Sequence, residues 1–162
     1  MIWEKSRNGW LLSKLYELAW KKIEAIPDDQ IMLRAITPHH IDDEGAIHFK
    51  IFQDSTGVSC NLSRFSTHEQ ARLGLGNPPE RNVNSGLLSF AVSDVKDTTV
   101  NGKVDHHPTD TFKGRENYSH CMIFPADTTK KKLSVGQAKK LLKKTTVAEQ
   151  FLQSKPDGLG HS

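Results

Sequence analysis

Residues 10 to 24, WLLSKLYELAWKKIE, place Leu11, Leu12, Leu15, Leu18, Ala19 and Ile23 at helical spacing, with Lys14, Glu17, Lys21 and Lys22 mostly between them. That spacing predicts an amphipathic helix, which Pro27 closes. Beyond it the period changes. IMLRAI, 31 to 36, reads as a short strand, and TPHHIDDEG after it as a polar loop. In AIHFKIF, 46 to 52, Ile47, Phe49 and Ile51 alternate with His48 and Lys50, which predicts a half-buried strand. QDSTG then turns the chain into VSCNL, 58 to 62, a further strand.

Ser66 and Glu69 have capping-box spacing ahead of a short helix in HEQARLGL. GNPPERNVNSG, 76 to 86, is too rich in Pro, Asn and Gly for regular structure. LLSFAVSDV, 87 to 95, alternates Leu88, Phe90 and Val92 and predicts a strand. Asn101-Gly102, between two short extended runs, signals a type I′ hairpin. SHCMIF, 119 to 124, predicts a last strand with His120, Met122 and Phe124 on one face. Ser134 and Gln137 form a second capping box, and the helix after it turns Val135, Ala138, Leu141 and Leu142 inward, with Thr145 at its end. Strands that do not alternate regularly with long helices predict an α+β fold, a mainly antiparallel sheet flanked by N- and C-terminal amphipathic helices. Residues 1–152 are expected to form one domain, and 153–162 a disordered tail.

Composition narrows the class. The chain has 162 residues, enough for one genuine core, and 25% of them are charged, as in ordinary soluble proteins. No apolar run is long enough for a membrane span, and MIWEKSRNGW lacks the apolar stretch of a secretory signal, so a cytoplasmic protein is expected. Its Cys60 and Cys121 are too few for a disulfide scaffold. Seven lysines and no acid lie between residues 130 and 148. Lys139, Lys140, Lys143 and Lys144 share the polar face of the last helix, a surface for a partner or for nucleic acid, or simply a solvated face.

The chemistry concentrates in KVDHHPTDTFKGRENYSHCMIF, 103 to 124, which holds three of the eight histidines and one of the two cysteines. His106, His107, His120 and Cys121 are all acceptable zinc ligands. Neighbours on a strand point to opposite faces, however, so one site would gather only two of the four, and no metal is expected. DHHP resembles the opening of HNH endonucleases, but Asn117 and His120 are too close together for their hairpin and helix. HPT at 107 to 109 is a single copy of an element that two-histidine phosphoesterases need twice. Cys–His catalysis requires an accessible thiolate, and both cysteines sit within apolar strands. What remains is a polar pocket. His107, His120 and Asn117 would carry any catalysis, with Arg34, His40, Ser59 and Asn61 binding the ligand. Arg34 within a strand, if buried, calls for a carboxylate or phosphate partner.

Arg34, Pro38, Val58, Ser59, Asn61, Thr67, Glu69, His107, Pro108, Asn117, Ser119, His120 and Ile123 follow one another in an order that resembles a family of small uncharacterised bacterial proteins. The resemblance covers residues 33 to 124; Cys60, Tyr118 and Cys121 depart from the family pattern. It implies a shared pocket, and a partner encoded nearby. The expected function is therefore that of a cytoplasmic accessory or adaptor protein acting with a larger partner, without a cofactor. An enzyme for a nucleotide or other phosphorylated substrate, using His107 and His120, and a nucleic-acid-binding protein using the lysine helix are the alternatives.

Overall fold

The computed structural model describes residues 23–73, 86–108 and 117–150. Six strands form one antiparallel sheet: β1 (Ile31–Ile36), β2 (Val58–Leu62), β3 (Gly86–Ala91), β4 (Gly102–His106), β5 (His120–Pro125) and β6 (Thr146–Glu149), in spatial order β4-β5-β2-β1-β3-β6. Three helices accompany them: α1 (His68–Leu73), α2 (Val92–Lys96) and α3 (Val135–Lys144). The fold is α+β, as the sequence predicts. The N-terminal helix lies mostly outside the described residues; Ile23 to Pro27 are not helical. The 76–86 loop and the 153–162 tail also fall outside them, Gly86 apart. Among the described residues no helix is long and apolar enough to cross a membrane.

The register sorts side chains onto two faces. One carries Met32, Ile36, Val58, Cys60, Leu62, Leu88, Phe90, Cys121 and Ile123, all buried. Ile51, Phe52, Val92, Val95, Leu133, Ala138 and Leu141 from the surrounding helices and turns complete this core. Among the described residues the other face is only half covered. Ala71 of α1 packs on Leu33 and Leu87, with Ala148 beside them. Glu149 at the end of β6 pairs with Arg72 and His68 of α1. The β2–β5–β4 half of that face carries Ser59, Asn61, His120 and Met122.

Strands β1 and β2 match their predicted bounds, and α3 begins at the predicted box: Ser134 N donates to Gln137 Oε1 and Gln137 N to Ser134 Oγ, at 2.9 and 3.2 Å. Val135 stays exposed in the first turn, contrary to its predicted burial, while Ala138 and Leu141 turn inward. Four other expectations are corrected, and one strand is added. Phe49–Phe52 is a 3-10 turn in place of a strand, with His48 Nδ1 capping Lys50 N at 3.1 Å. Ile51 and Phe52 are consecutive and both buried, which an alternating strand cannot achieve. The strand predicted over 87 to 95 ends at Ala91, where Asp94 Oδ2 accepts the Ala91 N–H and starts α2. Val92 and Val95 bury at helical spacing. The cap of α1 is Thr67, in place of Ser66, exchanging hydrogen bonds with Gln70. Thr146–Glu149, which sequence alone leaves unassigned, adds β6 to the edge of the sheet.

Asn101-Gly102 is not a type I′ hairpin either, because only Asn101 has positive φ (51°). Gly102 is needed for space: a Cβ there would lie 2.7 Å from Val95 Cγ1. Three D-(S/T)-T turns recur, Asp54-Ser55-Thr56, Asp97-Thr98-Thr99 and Asp127-Thr128-Thr129. In each, the Asp carboxylate accepts both the backbone N–H and the hydroxyl of the Thr two residues on. These bonds hold all three carboxyls below the usual range. The turns precede β2, precede β4 and follow β5.

Candidate functional site

The end of β4 and the start of β5 bring two adjacent histidines to opposite sides of the sheet. His106 pairs with Cys121 on the core face and is buried. Its Nδ1 accepts the Glu24 N–H at 3.0 Å, so the ring proton sits on Nε2, which donates to Tyr118 O at 2.7 Å. Phe65 stacks parallel to the ring at 6.2 Å, and Tyr118 meets it edge-on at 4.8 Å. This histidine joins chain segments and has no free nitrogen.

His107 and His120 lie on the open side, their rings 5.6 Å apart. His120 Nδ1 is 2.6 Å from His107 O, and a carbonyl only accepts, so Nδ1 carries the proton. Nε2 then presents a lone pair 3.1 Å from Ser59 Oγ. The Ser59 hydroxyl has one proton and two acceptors in reach, His120 Nε2 and Met122 Sδ at 3.6 Å. The imidazole nitrogen is nearer and the stronger acceptor. Burial lowers the His120 pKa most, and the neighbouring charges of His107, His106 and Arg34 lower it further, against the raising effect of its bond to His107 O. The ring is held neutral.

Asn61 is the direct cross-strand partner of His120. Its Oδ1 accepts from Asn117 Nδ2 at 2.8 Å. Ser119 Oγ lies 2.6 Å from Asn117 Oδ1 and 3.0 Å from Asn61 Oδ1; its single proton goes to the shorter contact. Asn117 and Ser119 are both buried, so these bonds satisfy groups that would otherwise be costly to desolvate. They also fix the Asn61 amide with Nδ2 turned away, and Nδ2 bonds to no described residue.

Arg34 explains itself by where the sheet parts. The β1–β2 ladder runs only over Met32↔Leu62 and Leu33↔Asn61, one step short of Arg34. Arg34 Nη1 takes over from the missing ladder by donating to Ser59 O at 2.7 Å. Its Nε is buried with no hydrogen-bond partner, and it forms no ion pair among the described residues. Its charge reaches His40, Asp54, Cys60 and His120. His40 sits in the Pro38–His40 turn, where its Nδ1 accepts from Thr37 N at 3.1 Å. Burial, then Arg34 and His39, lowers its pKa to about 4. His40 thus neighbours Arg34 electrostatically without touching the Ser59–His120 cluster.

The sequence-derived residues therefore divide. His107, His120, Asn117, Ser59 and Asn61 converge, Arg34 joins them through Ser59 O, and His40 stands apart. Ser119 is the addition: it and Asn117 lie in the turn that leads into β5, and only the fold reveals their shared bond. Among the described residues no group of three His, Cys, Asp or Glu side chains is placed to hold a metal ion. Cys60 faces Cys121 directly across β2 and β5, both buried. Burial pushes the Cys60 thiol up to about 12 and Cys121 well above its ordinary range, so neither is a nucleophile as it stands.

Compared with known proteins, the chain matches no family model, no curated protein and no solved structure. The lysine face of α3 is exposed, but Lys139 lies over the Phe49 ring at 5.2 Å and Lys144 pairs with Asp97 at 3.4 Å. Two of the four lysines thus have partners within the protein.

Proposed function

We propose that this chain is a small cytoplasmic accessory protein, acting with a larger partner, whose open sheet face binds a small ligand bearing a phosphate or carboxylate. Arg34 carries the reading. A guanidinium at the sheet plane, with a buried Nε that lacks a partner and, among the described residues, no carboxylate in ion-pair contact, has unused capacity for an anion. From the core side of β1 it reaches the Ser59 carbonyl, and its charge acts on His120, which links it to the Ser59 hydroxyl and the His120 ring on the opposite face. In the cytoplasm Cys60 and Cys121 stay reduced.

Titration of the full chain with inorganic phosphate, followed by NMR of the histidine ring protons, tests the binding. The His120 and His40 resonances are expected to shift saturably in the wild type and to stay fixed in Arg34→Met. Arg34→Lys is expected to restore little, because an ammonium cannot reproduce the planar fork. Unchanged phosphate binding in Arg34→Met would remove the basis of the proposal.

A further inference from the structure

Ser59, His120 and the His107 carbonyl form a chain of three groups in which each polarises the next. We propose that Ser59 is a nucleophile activated by His120, giving the open face a hydrolytic activity toward carboxylic esters that carry a second anionic group. The placement of that group rests on the proposed Arg34 ligand site; the nucleophile does not.

The distances fit the roles. Ser59 Oγ is 3.1 Å from His120 Nε2, within reach of proton transfer, and His120 Nδ1 is held 2.6 Å from His107 O. The carbonyl does here what a third side chain does in a hydrolytic triad: it fixes the tautomer, orients the ring and favours the imidazolium that forms. Ser59 is exposed on its strand, so an ester can approach it. Asn61 lies two residues further along the same strand face, about 7 Å on. Its amide is held by Asn117, and its Nδ2 bonds to no described residue. Arg34, bonded to Ser59 O, is placed to hold the remote anionic group.

The step balances without a further reagent. Ser59 Oγ attacks the ester carbonyl carbon while its proton passes to His120 Nε2. The tetrahedral intermediate collapses, the acyl–oxygen bond breaks, and the leaving alkoxide takes the proton from Nε2 and departs as the alcohol. Water then attacks the acyl-serine, again giving a proton to Nε2. Ser59 Oγ leaves, recovers that proton, and the acid is released. The lowered pKa of His120 keeps the ring available as a base at neutral pH.

Treating the full chain with an alkyl fluorophosphonate, which phosphonylates an activated serine with loss of fluoride, tests the nucleophile directly. Intact mass and peptide mapping are expected to find a single label on Ser59, absent in Ser59→Ala. His120→Gln, which keeps the hydrogen bonds but cannot take a proton, should slow labelling roughly a hundredfold while circular dichroism stays unchanged. The labelling rate should hold level around neutral pH and fall only in acid stronger than an ordinary histidine would require. Failure to label Ser59, or equal labelling in His120→Gln, overturns the proposal even if phosphate binding to Arg34 is confirmed. The substrate class is tested with 4-nitrophenyl hydrogen succinate against 4-nitrophenyl acetate. A roughly tenfold preference for the succinate that disappears in Arg34→Met is expected. Labelled Ser59 with equal rates on both esters overturns the anionic-ester assignment and, with it, the role given to Arg34.

Discussion

His106 and His120 begin alike and end differently. Each donates one ring N–H to a main-chain carbonyl, Tyr118 O for His106 and His107 O for His120. The second nitrogen decides the rest. In His106 it accepts the Glu24 N–H, so the ring is closed between two backbone groups and covered by Phe65. In His120 it meets the hydroxyl of an exposed serine. A histidine satisfied twice by backbone fastens the chain, whereas one satisfied once by backbone and once by a hydroxyl retains a base that a ligand can reach. The strand pleat separates the two kinds of site, since His106 faces the core and His107, next to it, the open side.

The largest effect that sharpens this contrast is on stability. His106→Ala leaves the Glu24 N–H and Tyr118 carbonyl without their partner and opens a void under Phe65. Urea denaturation is expected to show a loss of about 3 kcal/mol, of which His106→Gln should recover part. Next comes the pH response of His40, a third environment in which burial, and then the Arg34 charge, disfavours the protonated ring. Its folded pKa is lowered from 6.5 to about 4, so the unfolded chain binds the proton first and stability falls as pH drops through that window. With its partial exposure discounted, the fall is about 2 kcal/mol, and thermal melts of His40→Gln should show a flatter profile across the same range. The smallest effect belongs to the open site. Ser59→Ala and His120→Gln should each change stability by only about 0.5 kcal/mol in the same urea experiment. A loss at His120 as large as that at His106 would make both rings structural and erase the distinction.

Much of the sheet was legible because its strands follow simple rules. β1, β2 and β5 are short apolar runs bounded by turn residues, and the α3 box is a side-chain-to-backbone exchange that sequence spacing states outright. The errors share a cause. Phe49–Phe52 and Val92–Lys96 carry apolar residues that satisfy an alternating pattern as well as a tight helical one, and only the packing of Ile51 beside Phe52, or Val92 beside Val95, chooses between them. β6 is short and partly exposed, with Val147 40% accessible, so it has little pattern of its own; β3 supplies its ladder. The three D-(S/T)-T turns are readable in the sequence as a recurrence.

The candidate site was legible as a set of residues, not as a circuit. Strand parity put Ser59 with Asn61, and His120 with Met122. It could not say that β1 and β2 part beside Arg34, which brings a guanidinium from the core side to the Ser59 carbonyl. Nor could it give the diagonal from Ser59 to His120, which depends on the register of β2 against β5.

Cys60 and Cys121 offer a consequence of a different kind. They face each other where β2 meets β5, at the middle of the sheet, sealed from solvent and reluctant to ionise. A water-soluble maleimide can reach them only in the moments when those two strands come apart. The rate at which the native protein takes up label is therefore a clock for sheet opening, already present in the chain, that runs without dye, tag or denaturant.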